Sequence, residues 1–290
     1  MSGREGRPES GQMDGWQRLV GALGAERSDL AFAEADPEAL RAALDIHKLL
    51  VLRDQSLTPE TFTRAAARLG ALDVYPYARA MDGFPHVVRV LKAPEDTSNF
   101  GGAWHSDTAY LTEPPAITLL LAVDVPEQGG DTLFADSVAA FERLSPAFQT
   151  FLRGLTGHNT AGLVHGADGR HASVAGQSVP KQSTNELAEA EHPLVIATRS
   201  GSEALYFSLI HTSHFSGMTR QESLPLLEQL HAAVTAPENT SRLRWRTGTL
   251  AIWDNRTVQH YPLNDYPGRR REMHRIILQG DRPLRAHRRA

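Results

Sequence analysis

Short apolar runs, broken by Gly, Pro, Asp and Asn, dominate the middle and the end of the chain. His86 to Leu91, Ala116 to Val123, Leu194 to Thr198, Ala204 to Leu209, Thr249 to Trp253 and His274 to Gln279 are rich in Val, Ile, Leu and Tyr and read as strands. Leu49 to Leu52 is a shorter strand of the same kind. Helix signals punctuate them. Asp36-Pro37-Glu38 reads as an N-cap, a proline at the first helical position and an acidic first turn, opening a helix to about His47. Thr58-Pro59-Glu60 repeats the signal for a helix through Leu69. Ser145-Pro146 opens a third, and Thr219 with Glu222 has capping-box spacing before a Leu-rich helix ending near Val234. Pro225 requires a place in the first turn of that helix, where its missing N–H is not needed. Strands that do not alternate strictly with helices disfavour a doubly wound parallel sheet. They predict a mainly β fold with flanking helices, a two-sheet jelly roll.

Two kinds of segment fall outside this pattern. Gly162 to Glu191 is rich in Gly, Ala, Ser and Gln and is long for a connection without structure, which marks either a functional segment such as a lid or a mobile one. Residues 1–15 are polar and lack the apolar stretch of a secretory signal, so they are expected to be a disordered lead-in. Residues 16–284 are expected to form a single domain and 285–290 a basic tail.

Composition narrows the function classes. At 41% hydrophobic and 22% charged, the 290 residues are those of a globular protein. A net charge of -4 argues against nucleic acid or an anionic membrane as partner. No apolar run approaches the roughly 20 residues needed to cross a bilayer. A soluble, cytoplasmic protein acting on small molecules is expected. Cysteine is absent, so thiolate metal sites and disulfides are excluded, and any metal must be held by His and carboxylate.

Trp104-His105-Ser106-Asp107 is the first candidate for such a site. In a strand, residues i and i+2 share a face, so His105 and Asp107 can grip one ion from a single strand end. The second is His260, which follows the apolar run Thr249 to Trp253 at a turn. Either histidine alone is as readily a core residue. Together, H-x-D and a distant His are the ligand set of the 2-His-1-carboxylate facial triad, which leaves three positions on the ion open. A chelating 2-oxo acid takes two and O2 one. Beyond His260, Arg269-Arg270-Arg271-Glu272-Met273-His274-Arg275 leads into a strand. If that strand lies beside the one carrying His260, Arg271 or Arg275 can reach a carboxylate near the ion in bidentate fashion.

These pieces, in this order and spacing, resemble the taurine dioxygenase and 2,4-dichlorophenoxyacetate dioxygenase family, from about Gly21 to Pro283. The resemblance is carried by Leu49 to Gln55 with Leu57-Thr58-Pro59, Leu69-Gly70, the Trp104 to Asp107 motif, Gly129-Gly130-Asp131-Thr132 and His192-Pro193-Leu194. Its closing part is Gly217-Met218, Trp253-Asp254-Asn255-Arg256, His260, Asp265-Tyr266, Arg271 to Arg275 and Gly280 to Pro283. It implies a double-stranded β-helix and a dioxygenase that oxidatively decarboxylates 2-oxoglutarate to succinate and CO2 while oxidising a substrate C–H bond. The cofactors implied are Fe(II), 2-oxoglutarate and O2, with His105, Asp107 and His260 as iron ligands. Thr132 would hydrogen-bond the distal carboxylate of 2-oxoglutarate, Arg271 would pair with it, and Arg275 would lie near both cosubstrate and substrate. Related halogenases lack the Asp107 carboxylate, so oxygenation is implied over chlorination. A homodimer or homotetramer is compatible with the resemblance.

The substrate end departs from the pattern. Taurine dioxygenase uses a His and a Tyr after its Leu-Gly, where this chain has Val74-Tyr75-Pro76-Tyr77-Ala78-Arg79, and its Asn position falls near Gly101 and Gly102. A small organic anion other than taurine is expected, with Tyr75, Tyr77, Arg79 and Arg275 as candidate contacts. Tyr206, His211 and His214 are pocket or core. Two rival readings remain at this point. One is a zinc-type hydrolase on the same three ligands, which leaves Arg271 and Thr132 without a task. The other is a non-enzymatic jelly-roll binding module with structural histidines.

Overall fold

The computed structural model describes residues 15–165 and 187–286. The lead-in expected over residues 1–15 (all but Gly15), the core of the 162–191 segment and most of the basic tail therefore lie outside the described residues. The two ends of that segment are structured, as the helix Gly162–His165 and the strand Glu189–Pro193.

An eight-stranded sheet forms the backbone of the molecule. Its central strands are, in order, Leu49–Leu52, Leu250–Asp254, Ile117–Asp124, Arg271–Leu278 and Phe84–Lys92. Both of its faces are covered, which is why Leu49–Leu52 reads as an unbroken apolar run and is wholly buried. Leu50, Leu52, Leu121, Ile252 and Ile276 point one way, against Leu40, Leu44, Phe62 and Leu69 of the helices Pro37–His47 and Pro59–Leu69. Val51, Ala122, Ala251, Trp253 and Met273 point the other way, against Phe134, Leu243, Trp245 and Val258. Phe134, Leu243 and Val258 belong to a three-stranded sheet of Thr240–Leu243, Thr132–Asp136 and Val258–Pro262, and Trp245 lies just beyond the first of these strands. A second three-stranded sheet (Thr212–Phe215, Thr156–Thr160, Glu189–Pro193) and the pair Val195–Ala197 with Glu203–Leu205 complete the β structure. This is the expected mainly β jelly roll with helices outside.

Three helix starts are capped as their sequences predict, while Ser145 precedes Pro146–Arg153 without a side-chain cap bond. Asp36 accepts from the Glu38 and Ala39 amides, and Thr58 and Thr219 each close a capping box. Pro225 differs from expectation. The helix begins at Arg220, so Pro225 lies in its second turn. Gln221, whose carbonyl loses its helical partner, and Pro225 both face solvent, where water can satisfy that carbonyl. The strand expected over Ala204 to Leu209 also stops early, at Leu205.

Candidate functional site

His105 and His260 are joined through their backbones. The His105 amide donates to the His260 carbonyl at 3.0 Å and the His260 amide to the His105 carbonyl at 2.8 Å, an isolated antiparallel bridge. Side chains of such a pair project to the same side, and the two rings lie 4.1 Å apart between centroids. His260 sits within the strand Val258–Pro262 rather than at a turn, correcting the sequence expectation. The strand expected at H-x-D shrinks to this one bridge. Beyond it Thr108 takes a left-handed φ of 45°, and the turn brings Asp107 against the two rings. One ligand atom from each of His105, Asp107 and His260 falls within 4.8 Å of the others, and all three residues are buried. Gly101 closes the other side with φ 76°. A Cβ there would stand 2.9 Å from His105 Cε1, so no larger residue fits without displacing the ring.

The electrostatics suit metal ligation. His105 Nδ1 lies 2.7 Å from the Ala103 carbonyl, which places the proton on Nδ1 and the lone pair on Nε2, toward Asp107. Burial pushes both imidazoles below the ordinary histidine range, His260 furthest, so they are neutral donors at pH 7. Burial alone would raise the Asp107 carboxyl. The Arg275 guanidinium, helped by the imidazoles and the Thr118 hydroxyl, outweighs it and holds Asp107 well below the usual carboxylate range.

Arg271 and Arg275 reach the cavity from the opposite sheet. Their strand, Arg271–Leu278, lies between Ile117–Asp124 and Phe84–Lys92 and not beside Val258–Pro262, so the expected adjacency is replaced by a face-to-face arrangement. Arg271 is buried, and its Nε and Nη2 have no hydrogen-bond partner. Trp245 lies under it, with the guanidinium 5.8 Å from the ring centroid, and donates its indole N–H to Thr132 Oγ1 at 2.9 Å. The Thr132 O–H thus stays available to donate into the cavity it shares with Arg271 and the triad. Arg275 Nη2 stands 2.8 Å from Asp107 Oδ1, an ion pair without the alignment of a hydrogen bond, and the guanidinium lies 4.7 Å over the Tyr75 ring.

The substrate candidates separate. Tyr75 is buried beneath Arg275, edge-on to Phe100 and Tyr77. Tyr77 stacks on His165 at 4.3 Å and meets Tyr110 edge-on. Arg79 is not brought to the site. Its side chain is 81% exposed and pairs with Asp82. His211 lies edge-on to His105 and Tyr110. Tyr206 packs in the core with Ala109 and Ile196, and His214 stacks on His158.

Three residues of the site were not singled out from sequence for a part in it: Trp245, Thr118 and Asn255. Thr118 Oγ1 donates to Asp107 Oδ2 at 2.6 Å, and Asn255 Nδ2 donates to Thr118 Oγ1 at 2.8 Å. Asn255 carried a signal, since it sits in the Trp253 to Arg256 motif. Thr118 and Trp245 carried none.

Two neutral imidazoles and one carboxylate converging in a buried cavity fit Fe(II). The buried guanidinium with unpartnered N–H groups fits a carboxylate. A jelly roll holding these groups defines a mononuclear metal-dependent oxygenase. The chain matches the Taurine catabolism dioxygenase TauD, TfdA family over residues 16–277 and belongs to that family. It is 30% identical to an alkylsulfatase of Acinetobacter baylyi, over 93% of this chain and 86% of that protein. It is 31% identical to an alpha-ketoglutarate-dependent sulfate ester dioxygenase of Pseudomonas putida, over 92% of this chain and 89% of that protein. A solved taurine dioxygenase from Burkholderia xenovorans superposes with a TM-score of 0.76 at 28% identity, covering 92% and 90% of the two chains. The class is thus an oxidoreductase, a dioxygenase whose cofactors are Fe(II), 2-oxoglutarate and O2. Neither the zinc hydrolase nor the binding module survives as a reading.

Proposed function

We propose that this dioxygenase couples oxidative decarboxylation of 2-oxoglutarate to C–H oxidation of a small organic anion other than taurine, with a sulfate ester as the leading class. The observation that carries the cosubstrate half is Arg271, a buried guanidinium with Nε and Nη2 unpartnered in the cavity that holds the triad. His105 Nε2, Asp107 Oδ1 and His260 Nε2 would hold the iron, and Arg271 with Thr132 would take the far carboxylate of 2-oxoglutarate. Bound there, Fe(II) supplies the oxidising chemistry. The chain's own part is to keep the imidazoles neutral, fix the cosubstrate's distal end and line the site with apolar surface from Val90, Phe100 and Leu120.

Arg275 supports an anionic substrate. Its charge is balanced by Asp107 here, and a cation bound at Asp107 would compete for that carboxylate, leaving Arg275 to seek another anion. The Tyr75 ring under Arg275 and its neighbours Phe100 and Tyr77 support an apolar body beside the anionic group. The sulfate ester class is taken from the Pseudomonas putida relative. A cytoplasmic homodimer or homotetramer completes the proposal, supported by the family resemblance. Among the described residues no helix is long and apolar enough to cross a membrane.

The test is an anaerobic titration of Fe(II) and 2-oxoglutarate, followed by substrate-triggered 2-oxoglutarate turnover with alkyl sulfates, sulfonates including taurine, carboxylates and matched neutral compounds. A visible band that shifts with an alkyl sulfate, and turnover that follows it, is the expected result. Preference for a neutral compound, retained in Arg275→Ala, would sink the substrate half.

A further inference from the structure

The carboxylate that completes the triad accepts its hydrogen bond at one oxygen, Oδ2, and leaves the other, Oδ1, to the ion pair with Arg275 and to the two rings. Asp107 Oδ2 accepts from Thr118 Oγ1 at 2.6 Å, while Oδ1 faces His105 Nε2 at 3.8 Å and His260 Nε2 at 3.9 Å. Thr118 has a single O–H, and its oxygen in turn accepts from Asn255 Nδ2 at 2.8 Å. Asn255 cannot be turned round. Its Oδ1 accepts from the Trp253 indole N–H at 2.8 Å, and its Nδ2 has a second acceptor in the Pro115 carbonyl at 3.2 Å. An indole only donates and a carboxylate only accepts, so the chain Trp253, Asn255, Thr118, Asp107 has one direction. Each of these residues is at most 4% exposed, which keeps water from substituting for any link. The relay is also built into the large sheet, where Trp253 and Thr118 are cross-strand partners, and the Trp253 ring packs 4.9 Å from that of His260.

We propose that Thr118 is a positioning residue that keeps Asp107 a one-oxygen ligand, with Asn255 and Trp253 aiming its hydroxyl. The proposal rests on reading the triad as the Fe(II) centre. Carboxylates bind metal ions through one oxygen or through both. A facial triad leaves three positions, and 2-oxoglutarate with O2 needs all of them. An Asp107 chelating through both oxygens would take one. The Thr118 hydrogen bond engages Oδ2 and so reserves that position.

The test separates metal binding from cosubstrate binding. Fe(II) affinity is measured anaerobically by competition with a chromogenic chelator, and 2-oxoglutarate affinity by the visible band that grows on its addition. Thr118→Val removes the O–H and Thr118→Ser keeps it. Asn255→Asp is the second variant: it replaces the amide donor by an acceptor that draws the Thr118 O–H away from Asp107. The expected result is that Thr118→Val and Asn255→Asp bind Fe(II) at least as tightly as the parent but 2-oxoglutarate about 10–100-fold more weakly, the range of outer-sphere changes at metal sites. Thr118→Ser is expected to restore cosubstrate binding. Parallel loss of Fe(II) and 2-oxoglutarate affinity in Thr118→Val, unrescued by Ser, would show a merely structural role and overturn the proposal. Unchanged affinity for both would do the same. A parent protein with no Fe(II)-dependent 2-oxoglutarate band would instead overturn the reading of the triad, and the proposal with it.

Discussion

Arg275 and Asp107 form a buried ion pair, Nη2 to Oδ1 at 2.8 Å, between a candidate substrate-binding cation and a candidate metal ligand. Removing one member of such a pair leaves the other charge uncompensated, typically at about 3–5 kcal/mol. Asp107→Ala is therefore expected both to abolish turnover and to destabilise the metal-free fold by about that amount. Combining it with Arg275→Met is expected to recover part of the loss. His105→Ala and His260→Ala should abolish turnover without that penalty, because each removes a neutral ring. Urea unfolding of the metal-free variants, beside 2-oxoglutarate consumption, checks the contrast. Near-normal consumption in any of the three would refute the ligand assignment.

Two groups of opposite sign shape the pH dependence of stability. Burial lowers the His105 and His260 imidazoles, so below about pH 6.5 the unfolded chain takes up protons that the fold refuses, and stability falls as pH drops. Asp254 is pushed up to about 6, chiefly by burial, so its contribution is favourable when protonated and is lost as pH rises through 6. Asp254→Asn keeps an oxygen to accept the Arg256 amide and is expected to raise the urea midpoint at pH 8 but not at pH 4. An equal gain at both values would show that the effect is not protonation.

Arg271→Ala is expected to raise the apparent KM for 2-oxoglutarate by the equivalent of about 2–5 kcal/mol, since a buried carboxylate loses its charged partner. Thr132→Ala should act the same way at about 1 kcal/mol, the usual worth of a neutral hydrogen bond. Trp245→Phe should resemble Thr132→Ala, because the indole N–H anchors that hydroxyl. Steady-state kinetics in 2-oxoglutarate rank the three. A large effect of Arg275→Ala on this KM, with none from Arg271→Ala, would exchange the two roles.

At the substrate end, Tyr75→Ala is expected to raise the KM for the primary substrate about tenfold or more, because it removes the ring beneath Arg275, a contact worth up to about 2 kcal/mol when desolvated. Arg79→Ala should leave both KM values within about twofold, as exposed ion pairs contribute little. An Arg79→Ala enzyme that loses substrate affinity would restore that residue to the site.

The parts legible in the sequence were those fixed by local chemistry. The caps at Asp36, Thr58 and Thr219 start their helices because the side chain answers amides two or three residues away. The large-sheet strands showed as apolar runs because helices cover one face and the small sheet the other. Strands such as Thr156–Thr160 and Glu189–Pro193 gave no such run, being polar and held by neighbours distant in the chain. The convergence of His105, Asp107 and His260 was legible because H-x-D and a distant His are the residue types of a candidate ligand triad. Trp245 and Asn255 reach Thr132 and Thr118 across 113 and 137 residues, and Thr118 meets Asp107 only 11 residues away but from a different element. The packing of the sheets and not local spacing brings them together. Tyr75 and Arg79 illustrate the limit: four residues apart in one segment, one turns under Arg275 and the other into solvent.

Arg271 and Arg275 project from one face of a single strand, bonded to a neighbour on each side. Four residues of extended chain span roughly 13 Å and cannot be stretched or compressed. If Arg271 anchors the far carboxylate as proposed, the strand is a ruler, with that anchor at one mark and the metal-side arginine at the other. On that reading a keto-diacid one methylene shorter or longer, placed at the metal beside Arg275, would miss Arg271, so discrimination among such acids would be a matter of length, set by the backbone.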